Sequence, residues 1–272
     1  MDLSGSSGTQ AEGNTFVGYK AGTDVTTGNF NTAVGYNALL ENKTGENNTA
    51  IGQGALLYTT GSRYNTAVGT NAGSWGCGNS TYNTFVGDSA GGIYKAIGTG
   101  YGVDGGVMGG NTLMGAYAGY YIGAGNNNTA GVTAIGITAG YYTTGSYNTF
   151  VGSKAGYGGT TSAPYASGQY NTTLGVNTLT GFTTGYNNVA VGHNAGLSIT
   201  TGYHNVFVGS QAGDGITTGL YNTCVGSRAG DGLPAGFAEA TLVGRFAGGS
   251  INSTDATGAT LIGSQAGGLL QD

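Results

Sequence analysis

The stretch Asn31-Thr32-Ala33-Val34-Gly35-Tyr36-Asn37-Ala38-Leu39 decides the fold, because related stretches occur fifteen times along the 272 residues. The next copy, Asn48-Thr49-Ala50-Ile51-Gly52-Gln53-Gly54-Ala55-Leu56, begins seventeen residues later, which is the commonest spacing. We number each copy from its first residue, so that Asn31 is position one and Gly35 is position five. Self-similarity at a short fixed period predicts a solenoid, in which each coil buries its apolar face on its neighbours.

The residue types within one copy indicate strands and turns. Thr at position two, followed by apolar residues at positions three and four, favours a β-strand, while the surrounding Gly and Asn favour turns. Seventeen residues are too few for a helical hairpin, so the sequence predicts an all-β fold, a parallel β-solenoid of about 15 short coils. Gly stands at position five in every copy, which predicts a positive φ or a close backbone approach. Asn at position one predicts a ladder of side-chain amides.

The rhythm of the repeat predicts the domain organisation. We expect a leader or cap at 1–13 and a single solenoid domain at 14–272. The repeat is interrupted near 91–131 and 157–170 by Gly- and Tyr-rich insertions. Insertions in solenoids map to loops and often form the binding face, so function is expected there.

Positions three and four are both apolar, although neighbouring residues of a strand point to opposite faces. The uniform position four suits the interior of the coil, so position three is predicted to face outward. An apolar stripe along the whole solenoid is larger than a soluble monomer leaves exposed, which predicts a homotrimer. The predicted repeat core is Val17, Val34, Ile51, Val68, Val86, Ile97, Ile135, Val151, Val191, Val208, Val225, Val243 and Ile262. The predicted inter-chain stripe includes Phe16, Phe85, Leu113, Phe150, Phe207, Leu242 and Leu261.

Composition excludes several classes of protein. The chain has 59 Gly but two Pro and no three-residue Gly period, which excludes collagen. The net charge is −5 and the seven basic residues are scattered, so nucleic-acid binding is not expected. No apolar run has the length of a membrane-spanning helix, and the first residues lack the pattern of a signal peptide. Cys77 and Cys224 lie nine coils apart, too far for a disulfide.

The cores Ala50-Ile51-Gly52, Ala96-Ile97-Gly98 and Ala134-Ile135-Gly136 resemble the head repeats of trimeric autotransporter adhesins. The Asn-Thr-Ala-Val-Gly phrase is also similar to repeats of phage tail fibres and other virion proteins. The resemblance covers about 14–267 and implies three chains, each a left-handed parallel β-roll, packed around a common axis. The repeat is longer here than in the adhesin heads, and neither a coiled-coil stalk nor a membrane-anchoring barrel follows it. The resemblance implies a location outside the cell or on a virion surface.

Exposed aromatic residues are the candidate contacts with a receptor or glycan. An aromatic residue often precedes position one, as at Tyr64 and Tyr221, where it could stack on sugar rings or cement neighbouring chains. The candidate surface contacts in and near the insertions are Trp75, Tyr101, Tyr120, Tyr121, Tyr157 and Tyr165.

Two pairs of titratable residues were considered as catalytic or metal sites. Asp214 and Asp231 occupy position ten of adjacent coils, so their carboxyls are expected about 5 Å apart, the separation found in retaining glycosidases. Each precedes a Gly, and Asp-Gly is a common turn, so we interpret both as turn residues. His193 and His204 fall at positions six and seventeen without a carboxylate partner. The sequence therefore predicts no catalytic residue, metal or cofactor.

The function that the sequence favours is that of a non-enzymatic, trimeric fibre or adhesin, contacting a cell-surface glycan or protein receptor. A filament of solenoids stacked head to tail is the alternative. Regular Thr rows could also bind ice, but position two shares a face with position four and is predicted to point inward. An ice-binding protein and a polysaccharide depolymerase are therefore less favoured.

Overall fold

The structure, a computed structural model, describes residues 11–74, 79–92, 109–124, 129–159, 165–249, 251 and 257–268. All strands in these ranges are three residues long, and no helix occurs among them. Fourteen strands stack in chain order as a parallel sheet, which confirms the predicted β-solenoid. Their contacts divide the chain into two compact units, Met1–Ser146 and Tyr147–Asp272.

The strands have the same position in every coil, because each covers positions two to four. The first unit contains β1 (Thr15–Val17), β2 (Thr32–Val34), β3 (Thr49–Ile51), β4 (Thr66–Val68), β5 (Thr84–Val86), β6 (Thr112–Met114) and β7 (Thr133–Ile135). The second contains β8 (Thr149–Val151), β9 (Thr172–Leu174), β10 (Val189–Val191), β11 (Val206–Val208), β12 (Thr223–Val225), β13 (Thr241–Val243) and β14 (Thr260–Ile262).

The strands pair in register, so each position of the repeat forms a row. In β2 and β3, Thr32 pairs with Thr49 and Ala33 pairs with Ala50. The same register spans the first insertion, because Thr84 of β5 pairs directly with Thr112 of β6. The predicted core Ala96-Ile97-Gly98, with its Ile97, lies outside the described residues.

Position one forms the predicted amide ladder, and position five meets both conditions predicted for its Gly. In the ladder, Asn48 Nδ2 donates to Asn31 Oδ1 at 3.0 Å, and Asn48 itself is buried. Gly35 has φ +140°, and a Cβ placed on it would lie 2.5 Å from the carbonyl oxygen of Gly52. A side chain at position five would therefore strain the backbone and collide with the next coil.

The predicted assignment of the two sheet faces is wrong. Position three is buried and position four is exposed. The prediction assumed that the most uniform strand position lines the interior, but residues from the whole coil fill it. The residues predicted to form the core but found exposed or half-exposed are Val17, Val34, Ile51, Val68, Val86, Ile135, Val151, Val191, Val208, Val225, Val243 and Ile262. The residues predicted to face outward but found fully buried are Phe85, Leu113, Phe150, Phe207 and Leu242, while Phe16 and Leu261 in the terminal strands are half-buried.

The large side chains at position three are accommodated by glycines elsewhere in the coils. A Cβ on Gly73 would lie 2.6 Å from the Phe85 ring, and a Cβ on Gly91 would lie equally close to it. Both glycines stand at position nine. The Phe85 ring therefore occupies space that side chains at position nine would otherwise fill, which fixes position three in the interior.

Candidate functional site

The outward face of the strands consists of two parallel rows. Position two is Thr in every strand except β10 and β11, where it is Val, and position four is aliphatic in every strand except β6, where it is Met114. Val34 is 36% exposed, Ile51 is 41% exposed and Leu174 is 53% exposed. No strand residue at position four is buried, and none of the fourteen strands carries a charged residue. Each unit therefore presents an uncharged face on which Thr hydroxyls lie beside aliphatic groups, except in β10 and β11, where position two is Val189 and Val206.

The Thr row also corrects a prediction. Position two was expected to point inward with position four, and the two positions do share a face. That face is the outward one, since Thr66 and Thr172 are exposed and Thr32 is half-exposed. Thr side chains thus lie in register on the surface, spaced by the distance between neighbouring strands.

Aromatic rings stack along the residue that precedes position one. The rings of Tyr64 and Tyr82 in the first unit lie 5.0 Å apart with planes 1° from parallel. Tyr147 and Tyr170 in the second unit lie 5.3 Å apart. These residues have φ near +57°, a conformation that favours Gly or Asn, and Gly13 has it at the same position. The aromatic residues are therefore not explained by the backbone, and their contribution lies in the stacked side chains.

A denser aromatic group lies in the first unit and is called here the tyrosine cluster: Tyr117, Tyr120, Tyr121, Tyr141 and Tyr142. Its residues come from positions seven, ten and eleven of two consecutive coils. Tyr120 stacks on Tyr141 with ring centroids 5.1 Å apart, and Tyr121 stacks on Tyr142 at 5.0 Å. Perpendicular contacts, such as Tyr141 on Tyr142 at 4.6 Å, join the two stacks. All five side chains keep part of their surface exposed.

The backbone of the solenoid holds this cluster together. The Tyr121 N–H donates to the Tyr141 carbonyl oxygen at 2.9 Å, and the Tyr117 N–H donates to the Asp88 carbonyl oxygen at 2.9 Å. Burial raises the pKa of Tyr120, and the neighbouring Tyr121, Tyr117 and Asp88 raise it further. The Tyr120 hydroxyl therefore stays protonated and can both donate and accept hydrogen bonds.

The predicted contact residues have different outcomes. Tyr120 and Tyr121 belong to the tyrosine cluster, and Tyr157 and Tyr165 are half-exposed in the second unit. Trp75 and Tyr101 lie outside the described residues. Tyr117 lies in the first insertion but was not among the predicted contact residues, and Tyr141 and Tyr142 were not predicted either. Aligning the Tyr-Tyr pairs at 120–121 and 141–142 by repeat position would have selected the last two, since both pairs occupy positions ten and eleven.

Asp214 and Asp231 are close enough to influence each other. Burial raises the pKa of Asp214 most, the charge of Asp231 raises it further, and a hydrogen bond from Ser198 lowers it. Ser198 Oγ lies 3.4 Å from Asp214 Oδ1. Arg228 Nε lies 3.9 Å from Asp231 Oδ2. Asp214 thus has a polar partner in the preceding coil, and Asp231 has one within its own coil.

The remaining titratable groups form no cluster in the described ranges. No group of three or more His, Cys, Asp or Glu residues that could hold a metal occurs there. His204 stacks on Tyr221 at 5.2 Å and joins an aromatic row. Cys224 is a free cysteine at position three, and burial raises its pKa to about 12. Among the described residues, no helix is long and apolar enough to cross a membrane.

Comparisons with known proteins give no relative. No protein-family model, no curated protein and no solved structure matches this chain.

Proposed function

We propose that this protein is a non-enzymatic structural fibre protein whose chains associate through the outward strand face, with exposed aromatic groups contacting a cell surface. The main support is that position four of every described strand is an exposed or half-exposed aliphatic residue or Met. Burying apolar surface contributes about 25 cal/mol per Å², so a continuous row of this kind favours contact with another chain. The resemblance of the repeat to adhesin heads and phage tail fibres supports a homotrimer, located outside the cell or on a virion.

The chemistry of the face also supports self-association. A row without charged residues contacts a copy of itself without desolvating an unpaired ion. Thr hydroxyls beside the aliphatic row supply hydrogen bonds in the same contact. In-register pairing repeats this surface from coil to coil, so a second chain of the same period can match it over many coils.

The experiment is a native mass measurement of the purified protein and of two variants. Ile51→Lys combined with Val68→Lys places two charges on the proposed interface, and Thr70→Lys places one on the exposed position six next to it. We expect a trimer for the unchanged protein and for Thr70→Lys, and a monomer for the double variant. A monomeric unchanged protein would overturn the proposal. If that monomer lowered the freezing point of dilute solutions, the Thr rows would instead be assigned to ice.

A second candidate function is a filament of chains stacked head to tail, and one observation favours it. A Cβ on Gly263, directly after β14, would meet nothing within 4 Å, whereas one on Gly35 or Gly192 would meet a carbonyl oxygen of the next coil. Gly263 has a φ of +128°, close to the +130° of Gly192, and therefore has the conformation that receives a further coil. The first coil of a second copy, with Gly18 at the same position, is the matching occupant.

Negative-stain images separate the filament from a discrete fibre segment. Stacked solenoids predict long fibres whose length increases with protein concentration, and Gly263→Ala should shorten them because the added methyl group blocks the next coil. Short rods of uniform length at every concentration would exclude the filament. Native mass on the Ile51 and Val68 double variant remains the separate test of lateral association.

A further inference from the structure

The tyrosine cluster departs from the repeat in a way that the fold does not require. Positions ten and eleven of three preceding coils hold Thr23-Asp24, Leu40-Glu41 and Leu57-Tyr58. These coils form the same strands and turns as the coils of the cluster. Tyr117 stands at position seven with φ +57°, where Asn37 and Asn71 have nearly the same φ. The backbone therefore does not require five tyrosines at this corner, and what they determine is the chemistry of its exposed surface.

The geometry of the cluster provides an aromatic platform with polar edges. The two stacked pairs, Tyr120 with Tyr141 and Tyr121 with Tyr142, lie side by side and are joined by perpendicular contacts of 4.6 to 5.4 Å. Aromatic faces carry partial negative charge, and tyrosine hydroxyls at their rim donate and accept hydrogen bonds.

The charge around the cluster limits the kind of ligand. In the described residues of its surroundings, 83–92, 109–124 and 129–146, Asp88 is the sole charged side chain. No Lys or Arg is present in those ranges, so phosphate or sulfate groups would have no cationic partner there. A carboxylate is a strong acceptor for hydroxyl donors. The surroundings therefore favour an uncharged ligand rich in hydroxyl groups.

We propose that the tyrosine cluster, with Asp88, is a binding site for a neutral carbohydrate. The C–H groups on one face of a pyranose ring match the negative face of a tyrosine ring. Hydroxyls at the sugar's edge bind the tyrosine hydroxyls and the Asp88 carboxylate. This inference rests on the proposed function and names its ligand class, because an adhesive fibre needs a surface that recognises a cell-surface glycan.

The experiment is affinity electrophoresis of the full chain in native gels that contain a dissolved polysaccharide. Dextran, mannan and galactomannan are the neutral probes, and alginate and hyaluronate are the anionic ones. We expect at least one neutral polysaccharide to retard the protein and the anionic ones to leave its mobility unchanged. Removing one stacked pair takes away the aromatic faces on which the sugar ring packs, so it should weaken binding roughly tenfold or more.

Three sets of variants give the test its controls. Tyr120→Ala with Tyr141→Ala removes one stack of the cluster, and Tyr64→Ala with Tyr82→Ala removes a stacked pair outside it in the same unit. Tyr120→Phe with Tyr141→Phe keeps the rings and should fold normally while losing the hydroxyl contacts. We expect a large loss of retardation for the first pair, an intermediate loss for the Phe pair, an intermediate loss for Asp88→Asn, and no change for the control pair.

The proposal is overturned if no neutral polysaccharide retards the unchanged protein, or if the Ala and Phe variants of the cluster bind as it does. Native mass on the same samples separates this result from the proposed assembly. A trimer that binds no sugar would overturn the carbohydrate site and leave the assembly intact. A monomer that binds sugar through Tyr120 and Tyr141 would overturn the trimer and leave the site intact.

Discussion

Asn205 accepts two hydrogen bonds from Asn222 through one side-chain oxygen. Its Oδ1 lies 2.9 Å from the Asn222 backbone nitrogen and 3.1 Å from Asn222 Nδ2. The Asn205 amide nitrogen in turn donates to Gly219 at 2.8 Å and to Asn188 at 3.0 Å. Because Asn205 and its partner are fully buried, these bonds join three coils without competition from water.

Replacing Asn205 with Ala should therefore destabilise the second unit. The Gly219 carbonyl and the Asn222 N–H would lose a partner while buried, and one unsatisfied buried group costs about 1–3 kcal/mol. Chemical denaturation at fixed protein concentration should show a lower midpoint for Asn205→Ala. Ser210 is exposed at position six of the same coil, so Ser210→Ala should unfold like the unchanged protein. Equal midpoints for all three proteins would show that the ladder contributes nothing.

The two faces of β11 should respond differently to truncation. Phe207 is fully buried and Val208 is half-exposed, although the sequence predicted the reverse. Phe207→Ala leaves a cavity and should cost about 3–5 kcal/mol, while Val208→Ala removes partly exposed groups and should cost less. Denaturation midpoints of the two variants give the comparison. A larger loss for Val208→Ala would restore the original assignment of the faces.

The sequence contained enough information to assign these faces, but only when the residues at positions three and nine are compared. Where position three is Phe, as at Phe85 and Phe207, position nine is Gly. Where position nine is Leu, position three is small: Ala33 accompanies Leu39, Ala50 accompanies Leu56 and Thr173 accompanies Leu179. Two positions that exchange volume in this way share one close-packed interior. The uniformity of position four, by contrast, fits either face, because a repeated contact with another chain also conserves residue size.

The strands, the register, the amide ladder and the position-five Gly were predictable because each recurs at one position of every regular coil. The tyrosine cluster was predictable only in part. Tyr120 and Tyr121 lie in the interrupted region where a binding face was expected, but their partners Tyr141 and Tyr142 come from the following coil. Such contacts depend on which coils become neighbours, and the pairing of Thr84 with Thr112 could not be read from the repeat because an insertion separates the two residues in the sequence.

The close approach of adjacent coils at position five can be measured with two glycines of the second unit. Gly192 and Gly263 have φ near +130°, which disfavours Ala by about 1–3 kcal/mol at either site. A Cβ on Gly192 would also lie 2.6 Å from the Gly209 carbonyl oxygen, while one on Gly263 would meet nothing within 4 Å. Gly192→Ala should therefore lower the thermal midpoint more than Gly263→Ala. The same loss in both variants would attribute the whole effect to φ.

Asp214 should reduce stability near neutral pH. Its pKa is raised in the folded state, chiefly by burial and then by Asp231. The folded protein therefore binds this proton more tightly than the unfolded chain, so stability rises as pH falls through the raised pKa. Asp214→Asn should stabilise the protein at pH 7 by less than about 1 kcal/mol, since the carboxyl is partly exposed. The difference should vanish in acid.

Thermal unfolding of Asp214→Asn across pH 3 to 8 checks this expectation, with the exposed Asp24→Asn as the control for removing one negative charge. A destabilised Asp214→Asn variant at pH 7 would show instead that the carboxylate itself is required. Release of oligosaccharides from a polysaccharide, lost in Asp214→Asn, would support a polysaccharide depolymerase, the function that the sequence favours less.

Cys224 should be chemically inert in the folded protein. Its side chain is fully buried at position three, and burial raises the pKa of the thiol from the ordinary 9.0 to about 12. Because the thiolate is the reactive form, iodoacetamide at pH 8 should leave Cys224 unmodified and should label it after denaturation. Peptide mass mapping distinguishes this site from Cys77.

The unfolded chain loses the thiol proton near pH 9 while the folded protein keeps it, so stability should fall as pH rises from about 9 toward 12. Labelling of Cys224 in native buffer at the denatured rate would show that β12 opens freely. If the stability of the parent protein, compared with that of Cys224→Ala, did not fall above pH 9, the thiol would be in contact with water.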